Sequence, residues 1–423
     1  AFFYSSHVMI RISGKDNGDH DFNSDYSARD VGKNVLCLNS LFVGWEHPWA
    51  CVEGGWGFTI GCTFLECSEW DGRGDTSPEA TTYYWDDQDI SGSWSGSNEA
   101  VDAEAIRNWS GPSTHLFATV IGAGSGTLTK SNGCVNALSR HETATDPDAQ
   151  QWRQIEEINY GFCTFSDNFA SLLFGTTDDT AGSETFYSPT MWGCLVDNNH
   201  RDGTYNATTT EYQVGGADIA VWMLENGATW KTAGGTVGQA IGCVFGRSGD
   251  VIRYTDGTAY TAAEAITEAW TEWPVTNSKS VSDPQLTGKY NVTPLEGSGL
   301  IDYVPKLSTM SGAGVSTTAA TITNPYFYPV VDGITSSDFD ETNQQYSRPC
   351  WIGPNGGPYV ENTIVANDYS ASNNVTLGTA ASWSDGDEIW PVDPGSGLAD
   401  VGAVQTSYEA EPSPGPTPVG NLR

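Results

Sequence analysis

The chain has 423 residues, 53 of them acidic against 18 basic, for a formal net charge of −35. Such a surface repels nucleic acid and anionic lipid, so neither is an expected partner. With 38% hydrophobic and 12% aromatic residues the chain holds too many core formers to be disordered, and no apolar run approaches the roughly 20 residues of a membrane-spanning helix.

The length exceeds one ordinary core and predicts two or three domains or one elongated repeat fold. With 48 glycines and abundant Thr, Ser, Asn and Asp, strands and turns are favoured over helices. The first segment, "AFFYSSHVMIRISG" (1–14), reads as a strand with no leader or initiator Met, and the chain is expected to be a piece of a longer polypeptide. Next comes "DHDFNSDYSARD" (19–30). Asp19, Asp21, Asn23 and Asp25 occupy alternate positions and Asp30 follows, a spacing of hard oxygens suited to Ca2+. Ser24 stands where such loops carry glycine, and Asp30 where they carry a bidentate Glu. The competing reading is a solvated acidic loop.

Strand-sized apolar runs follow, punctuated by Gly, Asn and Asp: 34–44, 56–67, 114–124, 158–168, 169–177, 217–227 and 238–249. Between them, the 68–110 stretch is a long connection. It carries Tyr83, Tyr84, Trp85, Trp94 and Trp109 beside Asp, Asn and Gln, a mixture that stacks on the C–H faces of sugars and hydrogen-bonds their hydroxyls. These rings could equally seal loops onto the scaffold. Helical periodicity is clearest at 260–273, "YTAAEAITEAWTEW".

A two-letter signature recurs: Gly61-Cys62, Gly133-Cys134, Gly193-Cys194 and Gly242-Cys243, with Gly161-Phe162-Cys163 as a looser copy. Segments 115–142 and 168–203 also echo each other. Repeats at intervals of roughly 20–50 residues predict stacked units. The expected fold is all-β, a right-handed parallel β-helix with long loop insertions. Its small cysteines would stack inside, and its glycines would allow the tight turns. A propeller or a sandwich array is the alternative. The nine cysteines are an odd count; Cys62 with Cys67, or Cys37 with Cys51, are candidate disulfide partners. The expected division is 1–275 for the β-helix, 276–410 for a small β-rich module, and 411–423 for a Pro-rich linker or tail.

Two stretches resemble known proteins. "HLFATVIGAGSGTLTKSNGCVNALSRHE" (115–142) resembles the pectate-lyase-like pattern. "NNVTLGTAASWSDGDEIWPVDPGSGLADVGAVQ" (373–405) is similar to the C-terminal end of secreted and phage-borne β-helix proteins. The resemblance implies the fold and a carbohydrate setting; the superfold hosts lyases, hydrolases, tailspikes and adhesins alike. The chain departs from the lyase pattern: Lys130-Ser131-Asn132 stands where a His-His-Asn run is expected, and Arg140-His141-Glu142 replaces Arg-x-Pro-Arg. β-Elimination needs a base beside the C5 proton, and Arg140 and Arg201 are the candidates at matching places.

The expected function is therefore an extracellular, cell-surface or virion-surface glycan-recognising module, of adhesin, fibre or tailspike type, with a polysaccharide or cell-surface glycan as partner. A polysaccharide lyase or glycoside hydrolase, and a structural filament subunit that self-associates, are the alternatives.

Overall fold

The computed structural model describes residues 2–3, 8–10, 22–23, 35–43, 49–51, 57–65, 106–108, 113–123, 134–139, 158–168, 171–176, 185–187, 189–199, 217–222, 229–231, 238–246, 249–254, 259–267, 273–334, 344–367, 373–395 and 397–406. The chain is a right-handed parallel β-helix with a β-rich C-terminal module packed along one side.

Three sheets of eight strands run the length of the helix. The first contains Phe2–Phe3, Val35–Leu38, Gly57–Ile60, Ser113–Leu116, Ile158–Gly161, Thr190–Trp192, Ala240–Ile241 and Val275–Thr276. The second contains Val8–Ile10, Leu41–Val43, Thr63–Leu65, Thr119–Ile121, Thr164–Ser166, Leu195–Asp197, Val244–Phe245 and Lys279–Ser280. The third contains Phe22–Asn23, Trp49–Cys51, Ile106–Asn108, Val135–Ser139, Leu172–Thr176, Ile219–Trp222 and Asp250–Tyr254, and ends on the antiparallel strand Ala259–Thr261. Each of the first seven coils thus contributes one strand to each sheet, and like positions stack. Phe42 lies over Phe64, ring centroids 5.0 Å apart, and Val120, Phe165, Val196 and Phe245 continue that column in register. Every ring so placed is removed from water on both sides, the dispersion-rich packing that holds a narrow interior together.

Several runs that read as single strands are two, bent at a corner. Between the first and second sheets the corner is a two-residue step, and its first residue has positive φ in coil after coil: Asn39, Gly61, Phe117, Phe162, Gly193, Gly242 and Asn277. The second residue points inward: Ser40, Cys62, Ala118, Cys163, Cys194, Cys243 and Ser278, all buried. The ladder of hydrogen bonds runs through the corner, as in Gly61 N to Leu116 O (2.9 Å) and Thr119 N to Cys62 O (2.9 Å). The thiols join it weakly: Cys163 Sγ donates to His115 O and Cys194 Sγ to Tyr160 O, both at 3.3 Å. A small side chain is required here because the corner narrows the interior, and cysteine, alanine and serine all fit.

Two expectations are corrected by this register. Cys134 is not part of the column; it precedes Val135 at the start of a third-sheet strand, where its N–H donates to Ser171 O. Segment 115–142 does not align with 168–203, because His115 pairs with Thr59 and Tyr160, and Thr119 with Thr164. The disulfides expected at Cys37 or Cys62 are absent: both are free, buried thiols, like Cys134, Cys163, Cys194, Cys243 and Cys350. Cys62 faces the core and donates to Cys37 O at 3.4 Å, so its sulfur is turned away from solvent.

The helix end is closed by Ala262–Thr267; Tyr260 and Thr261, expected at the start of a helix over 260–273, belong instead to the strand Ala259–Thr261, and 268–272 lie outside the described residues. Thr261 and Glu264 form a reciprocal cap: Thr261 N donates to Glu264 Oε2 (2.8 Å) and Glu264 N to Thr261 Oγ1 (3.4 Å). Ala262 and Ala265 bury their methyls in the helix core, and Trp273 seals them, its indole N–H donating to Pro189 O at 2.7 Å.

The C-terminal module is built on a six-stranded sheet in the order Ser308–Thr309, Glu388–Trp390, Arg348–Gly353, Val360–Asn367, Asn374–Trp383, Gly314–Thr321, antiparallel throughout. Its one deeply buried carboxylate among the described residues of this sheet, Glu388, accepts from Tyr359 Oη (2.6 Å), Trp390 Nε1 (3.0 Å) and Lys306 Nζ (3.0 Å). Burial works to raise the Glu388 pKa, and these donors outweigh it, leaving it below the ordinary value. Burial, with the same hydrogen bond, pushes the Tyr359 phenol up to about 12.

Candidate functional site

The C-terminal module covers the outer side of the first sheet. Trp192 meets Phe327 edge-to-face and stacks with Trp390, at centroid distances of 5.2 and 5.7 Å, and its indole N–H donates to Pro305 O at 2.8 Å. Thr114 Oγ1 donates to Tyr326 O (2.9 Å). The corner between first and second sheets is covered too. A β-carbon on Gly193 would lie 2.9 Å from both Val304 methyls, and one on Gly242 would lie 2.5 Å from Pro305 Cδ. Glycine is therefore needed there twice over, for positive φ and for the close approach of the module.

From Val35 onward, the connections between the first and second sheets are the two-residue corners already described, and the longer connections of the helix enter or leave the third sheet. On the entering margin lie 66–105, 124–133 and 200–216; on the leaving margin lie 109–112, 140–157, 177–189 and 223–239. In the last two, Thr185–Tyr187 and Thr229–Lys231 pair in parallel, so successive connections stack on that margin.

The roots of the entering connections are held by a buried amide network. Asn168 Oδ1 accepts from Ala123 N (2.9 Å), and its Nδ2 donates to Val120 O (3.1 Å) and Asn199 Oδ1 (2.6 Å). Asn199 Nδ2 donates to Phe165 O (3.1 Å). The two ends of the 200–216 connection are tied directly: Asn199 N donates to Asp218 Oδ1 at 2.6 Å. Ser171 Oγ donates to Ala217 O at 2.6 Å. Apart from the bond between the Asn168 and Asn199 side chains, each satisfies a backbone group that a corner would otherwise bury unpaired. Asn168 and Asn199 each follow a residue of positive φ, Asp167 and Asn198. "SDN" (166–168) and "DNN" (197–199) are the legible trace of this network in the sequence. Burial pushes the neighbouring Cys134 thiol far up, and the Asp218 charge adds to the effect.

In sequence, the residues expected to bind or react belong to these connections. Tyr83, Tyr84, Trp85 and Trp94 belong to 66–105, Trp109 to 109–112, Arg140 to 140–157 and Arg201 to 200–216. Asp19 and Asp21 precede, and Asp25 and Asp30 follow, the third-sheet strand Phe22–Asn23. Asn23 pairs along the backbone with Ala50. Apart from the Asn23 backbone, all of these lie outside the described residues. Among the described residues no group of three or more His, Cys, Asp or Glu could hold a metal ion, and no helix is long and apolar enough to cross a membrane.

No protein-family model matches the chain, and no curated protein matches it. Among solved structures, it is similar to the tailspike protein of the Acinetobacter phage vB_ApiP_P1. The two are 10% identical with a TM-score of 0.22, over 84% of this chain and 72% of that one.

Proposed function

We propose that this chain is a glycan-recognising β-helix module of an extracellular or virion surface, adhesin-, fibre- or tailspike-like, akin to the pectate-lyase-like superfold. Its partner is a polysaccharide or cell-surface glycan, bound by Tyr83, Tyr84, Trp85, Trp94 and Trp109. The observation that supports this is topological: the first sheet and its corner are covered by the C-terminal module, and every aromatic candidate belongs to a connection rooted at the third sheet. Loops on a rigid scaffold are the usual carriers of recognition. The free thiols stacked in neighbouring coils favour the virion route, because a chain that folds in a reducing compartment keeps such pairs unoxidised.

The acidic residues Asp19, Asp21, Asn23, Asp25 and Asp30 are proposed to take up Ca2+ at the first coil, stiffening the same side. Calcium needs roughly six to eight hard oxygens, and this set supplies carboxylates and an amide. A rise in unfolding temperature on adding Ca2+, abolished by Asp21→Asn with Asp25→Asn, would support it; an unchanged temperature would count against it. In sequence, Arg140 belongs to the connection that follows the third-sheet strand Val135–Ser139, and Arg201 to the connection that precedes Ile219–Trp222.

A glycan array probed with the whole chain tests the proposal. Selective binding that Trp85→Ala with Trp94→Ala removes, with no unsaturated sugar released, is the expected result. Absence of binding, or release of unsaturated product that Arg140→Ala abolishes, would contradict it. Self-association into a larger assembly belongs to the same proposal and is read from the mass in solution by light scattering.

A further inference from the structure

The C-terminal module holds a cleft of about 560 Å³, lined by residues 301–302, 348–349, 351, 391–395, 398–400 and 405–406. That volume lies within the usual range for small-molecule sites. One wall is a fixed turn. The Asp400 carboxylate accepts from Asp302 N (2.9 Å), Thr406 N (2.6 Å) and Thr406 Oγ1, while Gln405 Nε2 donates to the carbonyls of Asp400 (2.9 Å) and Gly402 (3.1 Å). Asp400 is thus committed to holding the wall.

The other groups are less committed. Arg348 starts a central strand of the six-stranded sheet, and its guanidinium carbon sits 5.1 Å from the centre of the Phe117 ring, at a corner of the β-helix. Of its five N–H donors, only Nη2 has a partner among the described residues, Pro391 O at the long distance of 3.4 Å; Nε is buried without one. A guanidinium this short of acceptors is costly unless something supplies them. Beside it, Trp351 is half-buried, Leu398 is 41% exposed and Pro394 is buried, giving the cleft an apolar side. Asp393 stands exposed at the rim, with Oδ1 accepting from Gly395 N at 3.0 Å.

An indole face, an under-used guanidinium and a rim carboxylate form a set that recognises a polyhydroxylated ring. The ring's C–H face packs on Trp351, its oxygens accept from Arg348, and its hydroxyls donate to Asp393. The charge disfavours an anion: one arginine and three aspartates, Asp302, Asp393 and Asp400, line the cleft on a chain of net charge −35. We propose that this cleft is a second ligand site, separate from the margins of the third sheet, and that it takes a short neutral saccharide.

The test uses the whole chain with free neutral trisaccharides of glucose, galactose or mannose, and matching uronate-containing trisaccharides. Saturation-transfer NMR detects binding and calorimetry measures it. The expected result is binding of at least one neutral trisaccharide and of no uronate. Trp351→Ala should weaken it at least tenfold, and Asp393→Asn, at an exposed position that leaves packing intact, several-fold. Trp85→Ala with Trp94→Ala should leave it unchanged, which separates this site from the glycan surface proposed above. Transfer to no trisaccharide, equal or better binding of uronates, or full binding by Asp393→Asn would overturn the proposal. Should Trp351→Ala fail to fold, Arg348→Lys keeps the charge and loses the fork, and is expected to weaken binding several-fold; unaltered binding there would overturn the proposal too.

Discussion

Gly193→Ala probes the joint between the β-helix and its C-terminal module. Gly193 has φ +63°, and its added methyl would lie 2.9 Å from Val304 Cγ1 and Cγ2 and 3.1 Å from Phe162 Cδ1. The left-handed backbone costs a non-glycine residue about 1–2 kcal/mol, and overpacking a tight contact costs about 1–3 kcal/mol. The expected destabilisation is therefore about 2–5 kcal/mol. Gly61→Ala is the internal control. It has nearly the same φ, +66°, but its methyl would meet Asn39 Oδ1, the tip of an exposed side chain that can swing aside. Only the backbone cost of about 1–2 kcal/mol is expected there. Urea unfolding followed by tryptophan fluorescence measures both, because Trp192 and Trp390 stack across the joint. Adding Val304→Ala to Gly193→Ala should recover at least about 1 kcal/mol of the loss, the signature of two residues in contact. Equal costs for the two glycine variants, or a double variant with no recovery, would refute a Val304 contact at this corner.

Further predictions concern the interior of the coil. His115 is buried, 2.7 Å from Thr59 Oγ1 through Nδ1, and burial pushes its pKa down to about 3 from an ordinary 6.5. The unfolded chain takes up a proton that the folded one refuses, so stability falls as pH drops from about 6.5 toward 3, by about 1.4 kcal/mol per pH unit. His115→Gln should remove that part of the slope in pH-dependent unfolding, and an identical slope would refute the assignment. Asn199→Ala strips partners from Asn168 Nδ2 and Phe165 O and should cost about 2–4 kcal/mol, with faster proteolysis in 200–216; stability like that of the unaltered chain would contradict the loop-root role. The buried thiols of Cys37, Cys62, Cys134, Cys163, Cys194, Cys243 and Cys350 should stay silent toward a thiol reagent in the folded protein and react only in denaturant. Reaction of any of these seven at native conditions, located by peptide mapping, would count against their packing.

The Gly-Cys signature makes the stacked coil legible in the sequence, because a narrow corner admits few side chains and the choice repeats. The corner itself was less legible. Phe117 and Phe162 hold the same left-handed position as Gly61 and Gly193, and bulky aromatics carry no turn signal. The inward column was partly hidden, since Ala118 and Ser278 fill it as well as cysteine does, while Cys134 shares the motif without sharing the place. In the module, "TTAATITNPYFYPVV" (317–331) is Thr-rich at one end and Val-rich at the other, yet strand Gly314–Thr321 stops inside it and Val331 begins another. Asn324 and Pro325 are the punctuation that separates them. The cleft left no local trace at all. Asp302, Arg348, Trp351 and Asp393 are brought together by sheet order and not by spacing, and no periodicity or motif links them.

The proposed recognition surface is tested most directly by hydroxyl-radical footprinting of the whole chain with and without a glycan selected on the array. Protection should concentrate in 66–105, 109–112 and 200–216, the connections rooted at the third sheet, and should leave the module's outer strand Gly314–Thr321 unchanged. Protection confined to that strand, or spread evenly over the chain, would contradict recognition by the margins of the third sheet.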